Sequence, residues 1–310
     1  MIVAPNKMDF SNKNIIMIIS GLPGTGKTTL GLSAPDVLLI DTDEGLCRVN
    51  PAHRKDASIC KTYEEIKADI AAARGKYKTI VIDTCGAFID YLAEWALRAK
   101  PSAGQSDGTL SQKGFGFIRQ EFLRFSNELR KDFNIVYLFH EQIEKDKEDI
   151  RYSIICMGSA KTLVYQPADL AAHLFMQNGK RYLGFTPTEQ YTAKSAYGIK
   201  GIIEVPELAE GEANDFLTKL FDKVRKNLAA EAKSGEADKA KYDAAMKRGL
   251  SAIKSVTAPE LVEPCIAEID VIEHALTSKK ELLAALKEQM KNVGIVYDKT
   301  SRTYKSGDAK

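Results

Sequence analysis

The chain has 310 residues, room for one large α/β domain with an appendage or for two modest domains. Its net charge of +2, with 44% hydrophobic and 28% charged residues, excludes a globally basic nucleic-acid binder, so any such surface must be local. No apolar run approaches the ~18–20 residues of a membrane helix, the N-terminal MIVAPNKMDFSNKN lacks a signal-peptide layout, and Cys47, Cys60, Cys85, Cys156 and Cys265 are scattered without a CxxC, so a reduced cytoplasmic protein without a zinc site is expected.

Ile15 to Ile19 is an unbroken apolar run that predicts a buried strand. It leads into Gly21-Leu22-Pro23-Gly24-Thr25-Gly26-Lys27-Thr28, a GxxxxGK[ST] pattern, and from Thr29 a helix is expected. A strand, a glycine turn and a helix start aim several backbone N–H groups at one point, which binds phosphate. Gly21 and Gly26 let the backbone close around an anion without a Cβ in the way. Lys27 is placed to reach the β- and γ-phosphates of ATP, and the Thr28 hydroxyl to bind Mg²⁺.

Further along, Val37 to Asp41 and Thr79 to Asp83 are short apolar runs that each end in an acid, and Asn134 to His140 predicts a fourth buried strand. Helices are expected over Tyr63 to Arg74, Ala87 to Arg98 and Phe117 to Lys131, with a mobile Gly/Ser-rich loop from Pro101 to Gly116. Buried strands alternating with helices imply a mainly parallel sheet. Strands are expected over 151–156 and 170–177, a hairpin through Asn178-Gly179 into 180–185, and a further strand over 191–197. The core is therefore assigned to 1–205 and a helical C-terminal region to 206–310. In that region helices are predicted at 214–228, 244–256, 260–276 and 279–293, with 229–241 a solvated helix or linker and 298–310 a frayed tail.

Asp83 sits where a neighbouring strand would supply the second Mg²⁺ position. Asp41-Thr42-Asp43-Glu44 clusters three carboxylates beyond the second strand; Asp43 or Glu44 can orient the water that attacks the γ-phosphate. At the fourth strand end, His140 or Gln142 is placed to sense hydrolysis.

A P-loop after strand one, DTDEG after strand two, IVIDT after strand three and LFHEQ after strand four together resemble the RecA-like ATPases. With the GFG of Gly114 to Gly116, they look closest to the phage-encoded group that includes single-strand annealing ATPases of the Sak-four type. The resemblance covers roughly residues 12–205 and implies an α/β RecA-like P-loop core with a helical C-terminal extension. It also implies ATP and Mg²⁺ as ligands, a homo-oligomeric ring or filament with nucleotide between subunits, single-stranded DNA as partner, and a single-strand binding protein beside it. Asp43 occupies the position where the family usually carries Glu. In Thr192 to Gly198, Lys194 matches the first charge of the family's finger, and Ala196 stands where the Arg would be, leaving Arg181 or Lys200 as other sources of charge.

The family's DNA loops correspond to 100–117, with Lys113, Phe115 and Phe117, and to 144–161. The second carries Lys145, Lys147, Arg151, Tyr152 and Lys161 against Glu144, Asp146, Glu148 and Asp149. The alternatives are a nucleotide-gated interaction module with negligible turnover and a small-molecule phosphotransferase, for which no arginine-rich lid is seen.

Overall fold

The computed structural model describes residues 12–146, 149–157, 160–209 and 211–307. Lys147, Glu148, the N-terminal eleven residues and the last three lie outside them. The chain divides into two compact units, the first reaching Asn227 and the second beginning at Leu228.

In the first unit, the wholly buried strands β1 (Ile16–Gly21), β2 (Val37–Asp41) and β4 (Thr79–Asp83) carry no polar face, so they lie inside a sheet covered on both sides. With β3 (Ala57–Ile59), β5 (Asn134–Asp146), β7 (Leu170–Gln177), β8 (Lys180–Gly184) and β9 (Ile202–Val205) the order is β3-β2-β4-β5-β1-β7-β8-β9. Every pair from β3 to β7 is parallel, whereas β8 and β9 join antiparallel. One strand, β5, therefore stands between the P-loop strand β1 and the acidic strand β4. β5 also continues past the sheet and pairs with β6 (Asp149–Ile154) as an antiparallel hairpin.

Helices α1 (Lys27–Gly31), α2 (Tyr63–Ala73), α3 (Cys85–Ala99), α4 (Gln112–Leu129) and the short α5 (Ala160–Leu163) connect the strands. α2 opens with a reciprocal cap between Thr62 and Glu65. Tyr63, Phe88, Phe122, Phe125 and Tyr137 form an aromatic core with tilted rings, and the Tyr63 hydroxyl donates to the buried Glu121 at 2.7 Å.

Several expectations are corrected here. The 101–116 segment is not a bare loop: Gly104 bridges Leu110, and α4 begins at Gln112 under a Ser111 cap, so the GFG lies inside a helix. Gly114 is required there because a Cβ would stand 2.2 Å from the Ala103 carbonyl oxygen. The strand expected at 191–197 reduces to one bridge, Lys194 to Ala171, and β9 supplies the edge strand instead.

Of the two readings of 229–241, the solvated helix holds, as part of one longer helix. α6 (Phe216–Lys254) runs through it unbroken, since Ala, Glu and Lys favour helix and Lys239 pairs with Asp243 one turn on. The opening turns of α6 belong to the first unit. In the second unit, the helix expected over 260–276 ends at Val271, as α7 (Val262–Val271). There the His274 ring bonds the Ile269 carbonyl at 2.7 Å and Ser278 Oγ at 3.0 Å. α8 (Ser278–Asn292) packs on this turn's far side through Leu282 and Leu286 in a core with Ile253, Val262 and Ile269. The tail expected to fray instead forms a hairpin, β10 (Ile295–Asp298) with β11 (Thr303–Ser306).

Candidate nucleotide site

β1 ends at Gly21, in register with His140 of β5 and Leu174 of β7. A Cβ on Gly21 would lie 2.5 Å from the Leu174 carbonyl oxygen, so the strand end admits only glycine. Gly26 caps α1 at φ 90°, a conformation open to glycine at little cost. Between them Leu22, Pro23, Gly24 and Thr25 form the loop, tied by Thr25 Oγ1 to the Leu22 carbonyl at 2.9 Å. The buried Lys27 ammonium donates to the carbonyls of Gly21 and Leu22 at 2.9 and 3.0 Å. Burial pulls its pKa below the usual lysine value, against the opposing charges of Asp83, Glu141 and Asp43.

Thr28 Oγ1 donates to Asp83 Oδ2 at 2.6 Å. Asp83 is 3% exposed, and its carboxyl is pushed up to about 6, chiefly by burial and further by Asp43 and Asp41, while the Thr28 hydrogen bond and Lys27 oppose the rise. Two hard oxygen ligands side by side, one of them a carboxylate poorly served by solvent, fit Mg²⁺, which takes its remaining ligands from water and phosphate.

The carboxylate cluster separates by role. Asp41 accepts from the amides of Gly45 and Leu46 at 2.8 and 2.9 Å and so shapes the turn. Asp43 enters a cleft of about 390 Å³ that Lys27, Thr28, Asp83 and His140 also line. There Asp43 Oδ2 lies 3.1 Å from Arg48 and 3.8 Å from His140 Nε2, while its buried Oδ1 has no hydrogen-bond partner among the described residues. Glu44 takes left-handed backbone at φ 57° and points outward, 3.7 Å from Lys61. Asp43 is the better placed of the two. His140 is held below the usual histidine range by burial and by Lys27, with Asp43 opposing. Gln142 is exposed, donates to Glu144 at 3.1 Å and does not line the cleft.

The remaining predicted residues fall elsewhere. Lys194 is exposed and its ammonium is held by the carbonyls of Tyr165 and Ala168, at the entry to β7, outside the cleft lining. Lys113 lies exposed on α4, while Phe115 is partly buried against the core and Phe117 stacks on Trp95 at 5.5 Å. Arg151 sits on the β5–β6 hairpin, bonded to the Glu189 carbonyl at 3.4 Å; Lys161 pairs with Glu144 at 3.0 Å. The structure thus assembles Lys27, Thr28, Asp43, Asp83 and His140, and leaves the DNA candidates on separate elements with their aromatic rings packed inward.

Two residues that sequence reasoning missed meet at the end of β1, outside the cleft lining. His173 of β7 and Glu141 of β5, both buried, are hydrogen-bonded across the end of β1, Nδ1 to Oε1 3.1 Å. The His173 ring packs against Tyr152, Phe175 and Tyr191 with centroids 4.4–5.5 Å apart. Alternation along β5 sends His140 and Glu141 to opposite faces, one toward Asp43 and one toward His173. Arg181 of β8, one of the alternative charges read from the sequence, donates from Nε to the Thr25 carbonyl at 3.1 Å and so rests on the P-loop of its own chain.

A P-loop lysine held in its cradle, a Thr/Asp oxygen pair and a sheet with one strand between them define a P-loop ATPase core of the RecA-like α/β fold. Residues 13–197 match the AAA domain family (AAA_24), and the chain belongs to that family. A solved structure, the flagellar accessory protein FlaH from Methanocaldococcus jannaschii, is 14% identical, with 64% of this chain and 91% of that chain covered at a TM-score of 0.31. No curated protein matches the chain. Among the described residues no helix is long and apolar enough to cross a membrane.

Proposed function

We propose that the chain binds and hydrolyses ATP with Mg²⁺ and acts on single-stranded DNA in phage recombination or annealing, in the manner of the Sak-four group. It works as a homo-oligomer with nucleotide at the boundary between subunits, and alongside a single-strand binding protein. Lys27 and the loop amides hold the phosphates, and Thr28 with Asp83 hold Mg²⁺, whose charge stabilises the transferring phosphoryl group. Asp43, which lines the cleft, accepts a hydrogen bond from the attacking water. His140 stands beside it as the group that registers whether the γ-phosphate is present.

The observation that carries DNA action is the continuity of β5. It runs from His140, 3.8 Å from Asp43, directly into the hairpin on which Lys145 and Arg151 stand among acidic residues, so one strand links the cleft to a surface element of mixed charge. The test is a DNA-binding titration with ATP, ADP or no nucleotide, with sedimentation in parallel and phosphate release followed with and without single strands. DNA affinity and assembly should both rise with ATP, and hydrolysis should rise with DNA. A response to nucleotide in neither quantity defeats the reading.

Two observations favour a second reading, a nucleotide-gated module with negligible turnover: Asp43 is paired with Arg48, and Lys194 is held by carbonyls of its own chain. Nucleotide-dependent DNA binding without phosphate release identifies that case.

A further inference from the structure

We propose that the β10–β11 hairpin of the second unit is a contact site for single-stranded DNA, with Tyr297 stacking on a base and Lys299 and Arg302 holding the flanking phosphates. The proposal rests on the reading of single-stranded DNA as the partner. It adds a site outside residues 13–197, the part of the chain that matches the family. A two-stranded ribbon alone is marginal in water, and this one is anchored. Ile295 is buried in the core with Ile253, Val262, Ile269 and Leu282, and Tyr304 packs against that same core. The Gly307 amide donates to the Gly294 carbonyl at 2.6 Å and closes the base of the hairpin. The register sets Tyr297 opposite Tyr304, and their rings meet at 5.1 Å with planes 58° apart. Tyr304 is the anchored ring and Tyr297 the outer one, which stays 49% exposed. A ring whose place is fixed before a ligand arrives gives a base a stacking surface at little cost in ordering.

The turn between the strands carries the charge. Asp298 accepts from the amides of Thr300 and Ser301 at 2.8 and 3.4 Å and from Lys305 Nζ at 2.6 Å, so this carboxylate shapes the turn and is neutralised in place. Lys299 and Arg302 make no ion pair among the described residues. Two further acids lie close: Glu260, in the turn Pro259–Leu261 that packs on β11, and Glu263 of α7, near Tyr304. Neither pairs with the two cations among the described residues, so the tip keeps their charge. Arg302 stands in left-handed backbone at φ 54°, where glycine fits better, so its side chain adds charge to the tip at a local cost in stability. A fixed ring beside two uncompensated cations suits a single strand, whose bases are free to stack while its phosphates meet the charge. A duplex keeps its bases paired inside and offers the ring no face.

The test uses the full chain, a fluorescent oligothymidylate strand and a duplex of the same length, titrated with and without ATP over a series of salt concentrations. Tyr297→Ala should weaken strand binding about 5- to 150-fold, the range for one stacked base, and leave both duplex binding and the salt slope unchanged. Tyr297→Phe, which keeps the ring, should bind the strand within about twofold of wild type. Lys299→Ala combined with Arg302→Gly should flatten the slope of log affinity against log salt by about 1.4, two phosphates at about 0.7 each. Arg302→Gly alone should not lower the thermal midpoint, so its loss of binding is not a loss of fold. Four results overturn the proposal and leave DNA as partner: a loss that Tyr297→Phe shares, equal losses for strand and duplex in Tyr297→Ala, an unchanged salt slope in the double variant, or a lowered midpoint in Arg302→Gly. Wild type that binds no strand, with ATP or without it, overturns the DNA reading itself and this proposal with it.

Discussion

Asp83→Asn is expected to make the nucleotide-free protein more stable at neutral pH, although it removes a residue that holds Mg²⁺. Burial raises the Asp83 carboxyl from 3.8 to about 6 in the folded chain, so ionising it there is unfavourable. Below about pH 4 both folded and unfolded chains carry the proton and Asp83 has no effect. Between about pH 4 and 6 the unfolded chain has released the proton and the folded chain has kept it. The folded state then binds more protons, and stability falls as pH rises through that window. At ~1.4 kcal/mol per pH unit, the rise to about 6 costs about 3 kcal/mol once the group is ionised. Asparagine retains an oxygen to accept the Thr28 hydrogen bond and carries no charge. Urea unfolding of both proteins from about pH 4 to 7.5 should show equal stability at the acid end and an advantage of about 3 kcal/mol for Asp83→Asn at the neutral end. Saturating Mg²⁺ and ATP should narrow or reverse that gap, because wild type, which keeps the carboxylate for the ion, gains more from them. A difference that does not change with pH, or a variant less stable at pH 7.5, refutes the idea that the site stores an unfavourable carboxylate for its ion.

Three further outcomes follow from the same geometry. Lys27→Ala should lower ATP affinity at least 100-fold by titration without lowering the thermal midpoint, since the lost ammonium is buried and bonded only to loop carbonyls. His173→Ala should cost about 3–5 kcal/mol in denaturant unfolding, by removing the hydrogen-bond partner of the buried Glu141 and a ring packed among Tyr152, Phe175 and Tyr191; a loss under about 1 kcal/mol contradicts a structural role at the end of β1. Within α4, Gly114→Ala should destabilise by about 1–3 kcal/mol through its clash with the Ala103 carbonyl. Gly116→Ala, with open space around it, should stabilise by up to about 1 kcal/mol, and unfolding curves that rank the two the other way exclude the helical placement of the GFG.

What the sequence conveys here is what is local. The P-loop, the buried runs of β1, β2, β4 and the first part of β5, and Asp83 at a strand end are each contained in a few consecutive residues. Their apolar patterning is undiluted because both faces of the sheet are covered. β3 escaped notice because its three residues are only partly buried and alternate with nothing. The 229–241 stretch reads as a solvated helix or a linker because it is polar, and its Ala, Glu and Lys, being helix formers, favour the helix that is found. The GFG suggested a loop because glycine ordinarily breaks helices, whereas Gly114 is there to let the Ala103 carbonyl approach. In the site, Asp43 and Glu44 were indistinguishable until the left-handed backbone at Glu44 turned its side chain away. The Glu141–His173 pair had no signal at all: its partners are 32 residues apart and meet only because β5 and β7 flank β1.

The most direct test of the account is phosphate release from Mg²⁺-ATP by the full chain, measured beside Asp43→Asn and Thr28→Ala with and without single-stranded DNA. The account predicts turnover in wild type that DNA raises. Asp43→Asn should keep ATP affinity within a few-fold and lose at least 100-fold in rate, and Thr28→Ala should lose its Mg²⁺ dependence together with its rate. Asp43→Asn turning over as fast as wild type would contradict it, because the carboxylate proposed to orient the water would then have no part in the chemistry.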